Sequence, residues 1–233
     1  MSGNAAAQVR ANLANVYGRI RLAEQQFGRT PGSVRLVAVS KRQHIQKIRA
    51  AWEAGQGSFG ESYVQEALTK MAALGGLPLE WHFIGRIQSN KTQEIATHFH
   101  WVHGLADLRH AQRLSQQRPV ELDPLRVCVQ VNLSGETSKA GIAPEAAEDF
   151  IAACRELPNL QVRGLMTLPP PAQGEEAQRK PFRALRQLRD AVSKPCCPLL
   201  ELSMGMSADL EAAIAEGATL VRVGTAIFGK RPS

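Results

Sequence analysis

Lys41 ends the run "RLVAVSK" (35–41), where apolar and small residues lead up to an ammonium group. A buried lysine costs several kcal/mol unless it is paired, deprotonated or covalently bonded. Two readings follow. Either the strand has ended and Lys41 faces water, or the amine is held for chemistry. A lysine that is desolvated among apolar neighbours, near a second cation, loses its proton more readily and suits Schiff-base formation. Arg222, in "TLVRVG" (219–224), is that second cation if its strand lies beside Lys41.

Two glycine-bearing turns could hold an anion. In "SMGMSADLEAAI" (203–214) Gly205 lets the backbone approach closely, Met206 follows it, and Ser207 is expected to open a helix. In "VGTAIFG" (223–229) Gly224 and Thr225 can turn backbone N–H groups inward. A plain N-cap is the competing explanation of Ser207. Lysine, phosphate cradle and arginine together describe a site for pyridoxal 5'-phosphate. The lysine would bond the aldehyde carbon, the turns would hold the phosphate, and a charged group would face the pyridine nitrogen. Schiff-base aldolases are the alternative, but their lysine usually falls mid-way through the strand order.

Eight β-rich runs must position these residues: 35–40, 57–60, 80–85, 100–104, 126–133, 161–168, 199–204 and 219–224. Helical spacing fills the gaps, as at Ile45, Ile48, Ala51 and Trp52, or Phe182, Leu185, Leu188 and Val192. Strands alternating with helices predict a parallel sheet. Eight units in one chain predict a single (β/α)8 TIM-type barrel, because closure removes both edges. A preceding helix, with Val9, Leu13, Val16, Ile20 and Phe27 on one face, is expected outside the barrel or across its base. No linker or composition shift divides residues 1–233, so one domain is expected. In such barrels the functional site forms at the C-terminal strand ends. Those ends carry Lys41, Glu61, Gly85, His103, Asn132, Met166, residues 203–206 and residues 222–224.

Composition excludes several classes. With 44% apolar and 21% charged residues the chain reads as globular rather than disordered. No apolar run is long enough to span a membrane, and the N-terminus lacks the apolar core of a signal peptide. Cys128, Cys154, Cys196 and Cys197 form no CxxC pair, which favours a reducing cytoplasm. The net charge of +7 invites a nucleic-acid reading, but the arginines are dispersed and no base-reading element accompanies them. Arg179, Arg183, Arg186 and Arg189 form a basic helical stripe, read as a solvated face or as a dock for an acidic partner. His98, His100 and His103 lie close together in sequence, yet no carboxylate or cysteine completes a zinc motif. Glu61 is expected either to hydrogen-bond near Lys41 or to form a rim salt bridge. Asn132 and Lys139 flank a loop suited to turn formation or to contact with the mouth.

The segments "AVSK", "FGESYVQEA", "WHFIGRIQSNK", "NLSGETSKAG", "GLMTL", "SMGMSADLEAAI" and "VRVGTAIFG" occur in one order and closely resemble the pyridoxal phosphate homeostasis protein family. These are single-domain barrels similar to the N-terminal domain of alanine racemase. The resemblance runs from Arg35 to Gly229. It implies a cytoplasmic protein that carries the cofactor as an aldimine on Lys41. It also implies phosphate contacts at Ser207, Gly224 and Thr225, and Arg222 facing the pyridine nitrogen. The chain departs from the family pattern at Ser62, where asparagine is usual, and at Arg86, where proline or histidine is common.

A guanidinium at the pyridine nitrogen keeps that nitrogen unprotonated and weakens the ring as an electron sink. The expected function is therefore to hold the cofactor in vitamin B6 homeostasis as a monomer and to pass it to apo-enzymes. The alternative is an amino-acid racemase that uses Lys41 as one base. Racemases of similar architecture take a second base, a tyrosine, from another domain; the tyrosines here are Tyr17 and Tyr63.

Overall fold

The computed structural model describes residues 3–136 and 140–230. Helix α1 (Gly3–Gln26) precedes eight strands: β1 (Arg35–Val39), β2 (Ser58–Glu61), β3 (Glu80–Phe83), β4 (Trp101–Leu105), β5 (Leu125–Gln130), β6 (Leu160–Met166), β7 (Glu201–Ser203) and β8 (Leu220–Val223). Between and after them run α2 (Ile45–Glu53), α3 (Val64–Ala73), α4 (Thr92–His98), α5 (Leu108–Gln117), α6 (Ala147–Arg155), α7 (Glu175–Val192), α8 (Leu210–Ala215) and α9 (Thr225–Phe228). The strands are parallel and close in the order β1 to β8, with β8 returning to β1. Arg35 pairs with Leu220, and Val37 with Arg222. This is the expected eight-stranded barrel, and it makes Arg222 and Lys41 products of adjacent strands.

Strands of such a barrel face helices on one side and the lumen on the other, which explains why "LVAV" is apolar throughout. The main core lies between sheet and helices, with Leu36, Phe59, Phe83, Ile95, Leu114 and Phe182 fully or nearly buried. A smaller cluster of Val37, Trp101, Cys128, Met166 and Leu220 packs separately. Helix α1 buries Val9, Leu13, Val16 and Ile20 as its spacing predicts, each stabilising the fold by about 1.5–3 kcal/mol. It lies outside the barrel against α2, α8 and α9. Asn12 Nδ2 donates to the Ile227 carbonyl at 2.9 Å, and Arg19 pairs with Glu211 at 2.7 Å while also donating to the Ser207 carbonyl. The added helix thus braces the turns that follow β7 and β8.

The basic stripe of α7 is a partly solvated face that also has an acidic partner within the chain. Arg179, Arg183 and Arg186 converge on Glu216, a carboxylate just past α8 that is 1% exposed. Arg189 pairs instead with its neighbour Asp190. Three cations around one carboxylate lock α7 to α8. No helix among the described residues is long and apolar enough to cross a membrane.

Candidate functional site

Lys41 leaves the C-terminal end of β1 and is partly buried, with Nζ donating to Ser62 Oγ at 3.3 Å. Ser62, a departure from the usual pattern, therefore supplies a polar contact to the lysine itself. Arg42, the next residue, has φ 56°. A non-glycine residue in the left-handed region carries strain, and such strain concentrates where geometry serves function. Its guanidinium lies over the Tyr63 ring at 5.8 Å, and its backbone N–H donates to Glu66. Tyr63 is half exposed at the rim rather than part of the core.

Beneath the lysine is a buried charge cluster. Lys70 Nζ donates to Glu61 Oε1 at 2.7 Å, to the Ser40 carbonyl at 2.7 Å and to Glu66 at 2.6 Å. Ser40 Oγ adds a hydrogen bond to Glu61 at 2.6 Å. The expected rim salt bridge is instead a buried one, with Lys70, because Glu61 points into the interior, and Glu61 reaches the Lys41 segment only through the Ser40 hydroxyl. Burial pushes the Glu61 carboxyl up against the opposing pull of Lys70 and Ser40.

A cavity of about 620 Å³ opens beside Lys41, lined also by Ser62, Tyr63, Gly85, Arg86 and Lys91. Gly85 is required there, because a Cβ would sit 2.3 Å from the Ser62 carbonyl oxygen. Arg86, the second departure, is exposed and gives this mouth a further positive charge.

Arg222 lies inside the barrel at 5% exposure. It donates through Nη1 to Ser203 Oγ and through Nη2 to the Thr167 carbonyl at 3.0 Å. No carboxylate lies within ion-pair distance of it among the described residues, and burial pulls its pKa down to about 10. The group stays cationic at neutral pH. Its backbone N–H donates to the Gly205 carbonyl at 2.9 Å, which ties β8 to the turn after β7.

That turn depends on Gly205, whose φ is +94° and whose added Cβ would lie 2.5 Å from Ala213 Cβ. Met206 follows, 36% exposed, with its N–H donated to Asp209 at 2.6 Å. Ser207 is partly buried and sits in the turn; helix α8 opens at Leu210, not at Ser207. Gly224 and Thr225 begin α9, Thr225 with its side chain exposed. Strand order 7-8-1 thus gathers Ser207, Gly224, Thr225, Arg222 and Lys41 on three consecutive strand ends. The cavity beside Lys41 extends the other way, toward the loops after β2 and β3.

A polar chain within the barrel was not anticipated. His103 Nδ1 is 2.7 Å from Ser203 Oγ, and His103 Nε2 is 2.9 Å from His82 Nδ1. His82 Nε2 is 2.9 Å from Glu80 Oε2. Both imidazoles are fully buried. Burial holds both below the usual histidine range, His103 well below it. Burial also pushes Glu80 up, but His82, Arg126 and Ser58 outweigh it and hold the carboxyl far down. Trp101 Nε1 and Arg126 bond the other oxygen of Glu80 at 3.1 and 3.0 Å. The sequence signal was present: Glu80 and His82, Trp101 and His103, Glu201 and Ser203 are each two apart on a strand, hence on one face.

The other histidines diverge. His100 accepts from the Trp81 N–H, and His98 ends α4. No group of three metal-ligating side chains gathers among the described residues. Asn132 makes a turn, accepting from Ser134; Lys139 lies outside the described residues. Cys128 and Cys154 are buried thiols, and Cys196 and Cys197 remain unbridged with sulfurs 3.3 Å apart.

Comparisons with known proteins bear on the family and the fold. The family described as alanine racemase, N-terminal domain, matches residues 11–232. The pyridoxal phosphate homeostasis protein of Pseudomonas aeruginosa is 55% identical over 220 residues, covering 94% of each chain. Its Escherichia coli counterpart is 47% identical over 226 residues, covering 94% of this chain and 95% of the other. PipY of Synechococcus elongatus, solved with pyridoxal phosphate bound, is 36% identical with a TM-score of 0.82, covering 95% of this chain and all of that one. This chain is a member of the pyridoxal phosphate homeostasis protein family, built on the alanine racemase N-terminal barrel.

Proposed function

We propose that the protein binds pyridoxal 5'-phosphate through Lys41 and holds it in reserve rather than using it for turnover. The carrying observation is Arg222, a buried guanidinium whose hydrogen-bond acceptors are neutral. A buried cation without a counter-charge is costly, and a ligand that brings a lone pair and a dianion to the same mouth relieves that cost. The residues fit the cofactor in kind. The Lys41 amine would hold the cofactor by its aldehyde carbon. Ser207, Gly224 and Thr225 offer a hydroxyl and backbone donors to phosphate, and the exposed Met206 side chain flanks them.

When bound, the cofactor supplies an electrophilic carbon and a conjugated ring. Arg222 limits its use, because a guanidinium donates to the ring nitrogen and does not give up its proton. Racemisation also needs a second base on the opposite face. Tyr63 is half exposed and lies under Arg42, a poor setting for proton abstraction. Monomeric action in the cytoplasm and delivery to apo-enzymes complete the proposal.

Two assays on the purified protein test it. Titration with pyridoxal phosphate should give a saturable absorption band that Lys41→Ala loses. Incubation of the loaded protein with L- or D-alanine should give inversion no faster than free cofactor does. Inversion well above that rate contradicts a storage role.

A further inference from the structure

The chain from Glu80 to Ser203 runs through the barrel lumen. The His103–Ser203 bond joins β4 to β7, which are not neighbours in the sheet, so it crosses the interior. Such barrels normally fill this space with branched apolar residues, and fully buried polar groups are costly unless every member is satisfied.

Here the donors and acceptors fall into one consistent direction. A carboxylate only accepts hydrogen bonds, so His82 Nε2 bears the hydrogen facing Glu80. A neutral His82 then accepts at Nδ1, so His103 donates from Nε2 and accepts at Nδ1. The Ser203 hydroxyl must donate to that nitrogen, which turns its lone pairs toward Arg222. Arg222 Nη1 donates into them. Protonating His103 reverses its link to Ser203, and protonating His82 reverses its link to His103 and, through the tautomer of His103, the link to Ser203 as well. The charged groups around the pair are Glu80 on β3, Arg35 on β1, Arg126 on β5 and Arg222 on β8. Only Glu80 favours protonation.

We propose that Glu80, His82, His103 and Ser203 form a positioning relay for Arg222. The relay draws the Ser203 hydroxyl hydrogen onto His103, which aims the oxygen lone pairs at Arg222 and fixes the rotamer of its guanidinium, and so sets the electronic state of a cofactor bound on Lys41. This rests on the proposed binding reading, because Arg222 acts on the ligand only if the ligand is there. Glu80, at the opposite end of the barrel from Lys41, thereby influences the site without touching it.

The test has one arm without ligand and one with it. In the unloaded protein, nitrogen-15 NMR of the imidazoles at pH 7.5 to 8 should show His82 and His103 neutral, both hydrogenated at Nε2. Ser203→Ala should move the His103 Nδ1 resonance. A His103 hydrogenated at Nδ1, or a charged His82, overturns the relay whether or not the cofactor binds.

In the loaded protein, Ser203→Ala, His103→Gln and Glu80→Gln should each shift the absorption band, or its pH midpoint, in the same direction. Ser203→Ala should weaken binding about tenfold, as expected for loss of one hydrogen bond to a charged group. Ser203→Thr, which retains the hydroxyl, should restore the wild-type spectrum. The double variant of Glu80→Gln and Ser203→Ala should match Ser203→Ala alone, since links in series do not add. A spectrum that responds to Ser203→Ala but not to Glu80→Gln or His103→Gln overturns the relay, leaving Ser203 as a lone contact. If the wild-type protein shows no band, the binding reading fails, and the NMR result still decides the relay.

Discussion

Lys70 Nζ sits 2.7 Å from Glu61 Oε1, both side chains at 5% exposure or less, directly under the segment that presents Lys41. The pair holds the end of β2 against the turn after β1, since Lys70 also bonds the Ser40 carbonyl. Breaking one partner strands a buried charge, which costs roughly 3–5 kcal/mol. Lys70→Met should lower the urea midpoint accordingly. Adding Glu61→Gln should recover much of the loss, because the orphaned carboxylate is then gone. Equal destabilisation by the single and double variants would show that the charge pairing matters little.

The two lumen histidines predict an acid sensitivity with a defined window. Their folded pKa values lie below the ordinary 6.5, so between those values and about 6.5 the unfolded chain binds more protons than the folded one. Stability should therefore fall as pH drops below about 6.5, with a slope of up to ~2.7 kcal/mol per unit for two groups. Above about 7.5 these groups should contribute no slope. Glu80, held low in the fold, adds its own loss only below about pH 4.5. Denaturation midpoints from pH 5 to 8 check this, and His103→Gln should flatten the curve.

Strand content was legible because each run carries β-branched or apolar residues between turn clusters, and the closure of eight into a ring followed from their number. Lys41 was legible because an ammonium ends an apolar strand. For the lumen relay the period-two spacing showed only that Glu80 and His82 share a strand face; that His103 meets Ser203, 100 positions away across the barrel, follows only from closure. The contact that the α7 stripe makes within the chain was illegible for a similar reason. Its carboxylate partner, Glu216, comes from the next helical unit, and helical periodicity records nothing about what packs against a face.

Glu216→Gln should therefore destabilise the α7–α8 contact, though by less than loss of a fully buried ion pair because the three guanidiniums left around the neutral amide reach solvent. Added salt should narrow the gap to wild type by screening their repulsion. Thermal melts at low and high ionic strength measure it. An unchanged melting temperature would return the stripe to a purely solvated face.

Gly205→Ala tests the turn after β7. The positive φ and the clash with Ala213 Cβ should cost about 1–3 kcal/mol. The strain should also move Ser207 and weaken binding of pyridoxal phosphate, measured by absorbance titration. Loss of stability with unchanged affinity would remove Ser207 from the site.

The central claim is that β1 ends in Lys41 because the cofactor is bonded there. Borohydride reduction of the protein loaded with pyridoxal phosphate, followed by peptide mass mapping, tests it most directly. The account predicts one reduced adduct, on Lys41, absent in Lys41→Ala. No adduct, or adducts scattered over surface lysines, would contradict it and make Lys41 a solvent-facing strand end.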